Sequence, residues 1–172
     1  MRPLPNRKRT RLAFFDYSDD GVYFITICTA KREHFLGEIQ NDKMILNACG
    51  KIVAQCWQEI PTHFPDVELD VFVVMPNHIH GVIRIGNERK GLENADVGNG
   101  HARSSRKKSN LSVIIGSFKS ATSKQIHQKI RSDFVWQKSF HDHIIRDEEE
   151  MNQICDYISL NPENWAKDKN NF

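Results

Sequence analysis

Apolar positions along this chain change their period several times, and each change marks an element. Residues 21–29, with Val22, Phe24, Ile25, Ile27 and Cys28, have the β-branched and aromatic density of a strand. Phe35, Leu36 and Ile39, the polar run Gln40-Asn41-Asp42-Lys43, and Met44-Ile45-Leu46 read as a hairpin whose tip supplies turn residues. From residue 48 to about 63 the spacing becomes three and four. Ile52, Val53, Cys56, Trp57 and Ile60 therefore share one helical face, with Pro61 and Pro65 bracketing its end. Residues 71–85 return to strand composition, broken at Met75-Pro76-Asn77, so one strand ends near Val74 and a second begins at His78. A second helix is predicted over 111–129, with Leu111, Ile114, Ile115, Phe118, Thr122 and Ile126 on one face. Residues 134–137 predict a short strand continuing toward Phe140. A last helix follows Asp147, with acids in its first turn, where they suit the helix dipole, and with Met151, Ile154, Cys155 and Ile158 inward. Pro162 stops it.

Strands, a helix, two strands, a helix and a strand imply the α+β class, an antiparallel sheet with helices on one face. With 172 residues there is room for one core of ordinary size, placed at residues 21–165. Residues 1–20 read as a basic arm, 87–110 as a long polar loop rich in Gly, Asn and Ser, and 166–172 as a polar tail. No run is apolar enough to span a bilayer and the first residues lead into basic ones, so no membrane association and a cytoplasmic location are expected. The four cysteines form no Cys-X-X-Cys pair, which points to reduced thiols.

A net charge of +2 hides an uneven distribution. Arg7, Lys8, Arg9 and Arg11 precede any acid, and Arg106, Lys107, Lys108, Lys119 and Lys124 lie in a second acid-free stretch. Basic clusters of this kind suit a polyanion such as DNA, and equally a solvated surface.

In an extended strand alternate side chains share a face, so His78 and His80 point the same way, about 7 Å apart along the backbone, with Ile79 in the opposite layer. Two imidazoles converging on one side of a rigid strand form half of a metal site. Spacing alone is weak evidence, because the chain has eight histidines and a second His-X-His at His141 and His143. Tyr157 and Asn161, four apart, share a helical face, although a half-buried helix tyrosine and an ordinary helix stop would look the same.

The segment Met75-Pro76-Asn77-His78-Ile79-His80-Gly81 resembles the histidine-hydrophobe-histidine strand of the single-tyrosine HUH transposases. Trp136-Gln137-Lys138-Ser139-Phe140, Asp142-His143-Ile144-Ile145-Arg146-Asp147 and Tyr157-Ile158-Ser159-Leu160-Asn161-Pro162 resemble the carboxy-terminal half of the REP-associated tyrosine transposases, in that order. The similarity runs from about residue 22 to 165. It implies a ferredoxin-like or RRM-like sheet with an extra C-terminal helix carrying the nucleophile. Tyr157 is then that nucleophile, and His78, His80 and Asn161 hold Mg²⁺ or Mn²⁺. The implied activity is nicking and rejoining of single-stranded or hairpin, REP-like DNA through a 5′-phosphotyrosine, by a monomer or homodimer. Asn161 rather than Gln points to the REP-associated branch. Two alternatives are a nucleic-acid-binding domain without catalysis and a structural site built from His78, His80, His141 and His143. Neither the tasks of His141, Asp142, His143 and Arg146 nor the aromatic side chains that face outward to stack on bases can be read from spacing. Trp136 and Phe140 are expected in the core.

Overall fold

The computed structural model describes residues 20–86, 109–168, 170 and 171. The basic arm with Arg7, Lys8, Arg9 and Arg11, and the loop segment with Arg106, Lys107 and Lys108, lie outside the described residues. Strands β1 (Gly21–Cys28), β4 (Val67–Val74), β5 (His78–Ile85) and β6 (His141–Ile145) form one sheet in the order β4-β5-β1-β6, with every neighbouring pair antiparallel. Strands β2 (Gly37–Gln40) and β3 (Lys43–Leu46) make a separate two-stranded hairpin. Asn41 and Asp42 at its tip both have positive φ, 49° and 59°, a conformation that Asn and Asp tolerate better than other side chains.

Helices α1 (Ala48–Gln58), the short α2 (Ile60–His63) and α3 (Leu111–Lys129) follow the predicted faces. Asn47 caps α1 by accepting from Gly50 N at 3.0 Å, and Asn110 caps α3 by accepting from Ser112 N at 2.9 Å. Pro61 sits in the first turn of α2, where its missing N–H costs nothing, and so separates that turn from α1. Val53, Trp57, Ile114, Ile115 and Phe118 from these helices pack with Tyr23, Ile25, Ile27, Ile79 and Ile83 from one face of the sheet. Trp136 and Phe140 are buried in this core as expected. The opposite face is covered by α4 (Glu148–Ser159), whose Met151, Ile154 and Ile158 lie on Val22, Phe24, Val71, Val73 and Val82. Asp147 caps α4 by accepting from Glu150 N at 2.8 Å.

The fourth strand is not the one expected at 134–137. Phe134 and Trp136 point into the core and Val135 points out, so the alternation is real, but only a single bridge, Thr29 to Trp136, is formed there. The paired strand is β6, at the sheet edge, where polar side chains are tolerated on the open side and blur the pattern.

Gly81 lies between the second imidazole and Val82. A Cβ there would come within 2.4 Å of Trp57 Cζ2, and that indole is held by stacking on Phe72 at 4.9 Å and by the edge of Phe118 at 5.4 Å. Gly81→Ala is therefore expected to lower stability by about 1–3 kcal/mol through overpacking, read as a lower urea midpoint. Because β5 must shift to relieve the clash, cation binding at the neighbouring imidazoles should weaken as well.

Candidate metal and nucleophile site

Strand β5 is paired on both sides, by β4 and β1, so the side chains it presents are held on a rigid support. His78 and His80 emerge on the α4 face, 0% and 1% exposed, with Nε2 atoms 3.1 Å apart. The tautomer of His78 follows from its neighbour. Asn77 Nδ2 donates to Arg32 O at 3.0 Å and to Asn170 O at 2.8 Å, which turns Oδ1 toward His78 Nδ1 at 2.8 Å. His78 Nδ1 must then carry the proton, and its Nε2 lone pair faces His80. His80 Nδ1 lies 2.8 Å from Thr26 Oγ1, a hydroxyl able to donate or accept, so His80 can take either tautomer. Phe24 stacks on the His80 ring at 5.3 Å.

Tyr157 approaches from α4. Its hydroxyl is 3.3 Å from His80 Nε2 and its ring meets His80 and Phe24 edge-on at 5.3 and 6.1 Å, while 41% of the residue stays exposed. The phenol is on the same side of the sheet as the imidazoles and belongs to the same chain. Burial raises its pKa above the ordinary tyrosine value and the charge of Asp168 adds to this, while a hydrogen bond from Asn161 works in the opposite direction. Asn161 is buried, and its Oδ1 has no hydrogen-bond partner among the described residues.

A residue that sequence reasoning missed completes the cluster. After Pro162 the chain turns through Trp165–Lys167 and brings Asp168 Oδ2 to 3.8 Å from His78 Nε2. Oδ1 of that carboxylate accepts from Asn170 N at 2.6 Å, whereas Oδ2 is buried with no hydrogen-bond partner among the described residues. Among the described residues, the one group of three or more His, Cys, Asp or Glu side chains close enough to share a metal ion is His78, His80 and Asp168, with ligand atoms within 4.8 Å of one another. A lone acid in a polar segment gives no sequence signal of this role.

These donors fit a divalent cation. An imidazole lone pair and a carboxylate oxygen facing each other repel unless positive charge lies between them. Cis ligands each about 2.1 Å from a cation stand about 3.0 Å apart, close to the imidazole separation. Mixed nitrogen and oxygen donors suit first-row divalent metals better than a purely oxygen-seeking ion.

The remaining candidates lie elsewhere. Lys119 and Lys124 are on α3, on the far side of the sheet, and Lys119 Nζ donates to Gln137 O at 2.5 Å and Lys138 O at 3.2 Å, with burial lowering its pKa. Lys124 is exposed. His141 and His143 are exposed on β6, opposite Thr26 and Phe24 in register, and His143 Nε2 is 2.6 Å from Glu150 Oε1. They do not join the buried imidazoles, so four histidines do not form one metal site. Cys28, Cys49 and Cys56 are buried and take part in no disulfide. No helix among the described residues is long and apolar enough to cross a membrane.

An uncharacterized protein of Haemophilus influenzae is 38% identical over 168 residues, covering 96% of this chain and 93% of that protein, and the two belong to one family. A putative REP-associated tyrosine transposase of the same organism is 24% identical over 158 residues, covering 86% of this chain and 73% of its own. The structure of a REP-associated tyrosine transposase bound to a REP hairpin superimposes with a TM-score of 0.61 at 17% identity, covering 94% of this chain and 76% of that one, and shares the fold. No protein-family profile matches the chain.

Proposed function

We propose, on the premise that this chain is a structural and distant sequence homologue of the REP-associated tyrosine transposases of the HUH superfamily, that it nicks and rejoins DNA through Tyr157. The observation that carries this reading is the placement of the Tyr157 hydroxyl 3.3 Å from His80, over the cluster of His78, His80 and Asp168 and within one chain. The strand order β4-β5-β1-β6, with α1 and α3 on one face, supports reading the sheet as the ferredoxin-like arrangement that such an enzyme is expected to use.

His78, His80 and Asp168, with Asn161 Oδ1 as a further donor, would hold Mg²⁺ or Mn²⁺. The cation supplies positive charge that polarises the phosphate oxygens and offsets the charge building up during in-line displacement. Tyr157 Oη forms a bond to phosphorus as the bond to O3′ breaks. The phenol proton passes to solvent and the departing 3′ oxygen takes one up. The DNA remains attached by its 5′ phosphate, and attack by a 3′ hydroxyl reverses the exchange, expelling the phenolate. Unassisted phenolate at neutral pH would cost about 4 kcal/mol. The Asn161 amide lowers that cost by donating to the phenol oxygen, and Thr26 and Asn77 keep both imidazoles aimed inward.

Single-stranded or hairpin DNA is the proposed substrate, by analogy with the REP hairpin held by the structural relative. Incubation with hairpin oligonucleotides and Mn²⁺, digestion and mass spectrometry should yield a nucleotide on the peptide that contains Tyr157. A cut strand without any protein adduct, or an adduct on another residue, would refute the assignment.

A further inference from the structure

Beside the imidazole pair lie two aromatic residues that are not buried, His34 and Trp165. Trp165, at the start of the turn after Pro162, lies with its ring centre 6.0 Å from that of His78, and His34 meets the same indole edge-on at 5.6 Å. His34 is exposed and Trp165 is half-buried, whereas Trp57 and Trp136 are 1% and 6% exposed. Of the three tryptophans in the chain, Trp165 is the one that is not fully buried, and it lies next to the site.

The turn that carries His34 is held in an unusual conformation. Lys31 and Arg32 are consecutive non-glycine residues with φ of 53° and 57°, a region that costs such residues on the order of 1–3 kcal/mol each. The strain is retained because the turn is tied on several sides. Arg32 donates to the Asn170 side chain, its carbonyl accepts from Asn77 Nδ2, and Thr29 Oγ1 donates to Glu33 O at 2.7 Å. The same Asn77 amide bonds Asn170 O, so one side chain fixes the His34 turn, the Trp165 turn and the His78 tautomer together. Local charge is mixed, with Lys31, Arg32 and Lys167 set against Glu33 and Glu163. What the place offers is ring surface rather than a phosphate clamp.

We infer that Trp165 and His34 form a stacking subsite for one unpaired base of single-stranded DNA, next to the cation site at His78 and His80. The inference rests on the proposed strand-transfer reading and adds to it a residue-level base contact. Every base presents a π face, so stacking gives affinity with little sequence preference, and its loss on alanine substitution weakens binding roughly ten-fold per base.

Binding is measured with single-stranded oligonucleotides and the Tyr157→Phe protein, so that cleavage does not disturb the equilibrium. Because the other tryptophans are buried, a bound oligonucleotide should quench a fluorescence component that disappears in Trp165→Ala. Walking one abasic residue along the oligonucleotide should reveal a single position at which affinity falls about ten-fold. In Trp165→Ala that position should become silent, while Trp165→Phe should retain most of the effect and His34→Ala should reduce it. Tight binding with unchanged fluorescence, or an abasic penalty that persists in Trp165→Ala, overturns the subsite and leaves the strand-transfer reading standing. Absence of any oligonucleotide binding overturns both.

Discussion

Tyr157→Phe is expected to abolish the covalent protein–DNA adduct and to lower strand cleavage by about 10⁴-fold or more, since no other group can replace a covalent nucleophile without repositioning. Of the other tyrosines, Tyr23 is fully buried on the opposite face of the sheet, and Tyr17 lies outside the described residues. The substitution removes one oxygen from a side chain that is 41% exposed, so the fold should hardly change. Neither imidazole loses the neighbour that orients it, because Nδ1 of His78 and of His80 face Asn77 and Thr26 rather than the phenol. Mn²⁺-dependent thermal stabilisation should therefore survive in the variant. Denaturing gels with end-labelled hairpin DNA measure the adduct, and melting with and without Mn²⁺ measures the site. If Tyr157→Phe still becomes labelled, the nucleophile has been misassigned. If it loses both adduct and cation response, the phenol matters to the cation site and the result does not isolate nucleophilic chemistry.

The expectations that succeeded rest on local signals. Residues 71–85 combine β-branched density with a Pro-Asn break, and alternation then puts His78 and His80 on one face whatever the surroundings. The helix faces of α1 and α3, and the Asn41-Asp42 turn, are likewise properties of short segments. What escaped depends on contacts distant in sequence. β6 is recognisable only through its pairing with β1, and its exposed histidines spoil the alternation. Lys119 looks like any surface lysine until Gln137 and Lys138 present carbonyls to it. Asp168 becomes a donor only because the chain reverses after Pro162 and Asn170 is gripped by Asn77 and Arg32, a tertiary event with no periodicity to announce it. Trp165 comes to lie beside the site by that same reversal.

Asp168→Asn should change stability in opposite directions with and without a cation. In EDTA, wild-type Asp168 Oδ2 is a buried carboxylate oxygen without a hydrogen-bond partner, facing the lone pair of His78 Nε2 at 3.8 Å. Leaving such an acceptor unsatisfied costs about 1–3 kcal/mol. Asparagine is nearly isosteric and can turn an N–H toward the imidazole, so the cation-free variant should be more stable than wild type by about 1–2 kcal/mol in urea unfolding. With Mn²⁺ at a hundred times its Kd, wild type gains about 2.7 kcal/mol. The variant, having exchanged an anionic ligand for a neutral one, should bind about ten- to a hundred-fold more weakly and lose most of that gain. Removing the carboxylate also removes one of the influences that hold the Tyr157 phenol above its ordinary pKa, so that pKa should fall in the cation-free variant. If Asp168→Asn were destabilising to the same extent in EDTA and in Mn²⁺, Asp168 would be a packing residue and the cation would rest on His78, His80 and Asn161 alone. A crossing of the two stability curves is the outcome that only a ligand can produce, because only a ligand is a burden to the empty site and an asset to the filled one.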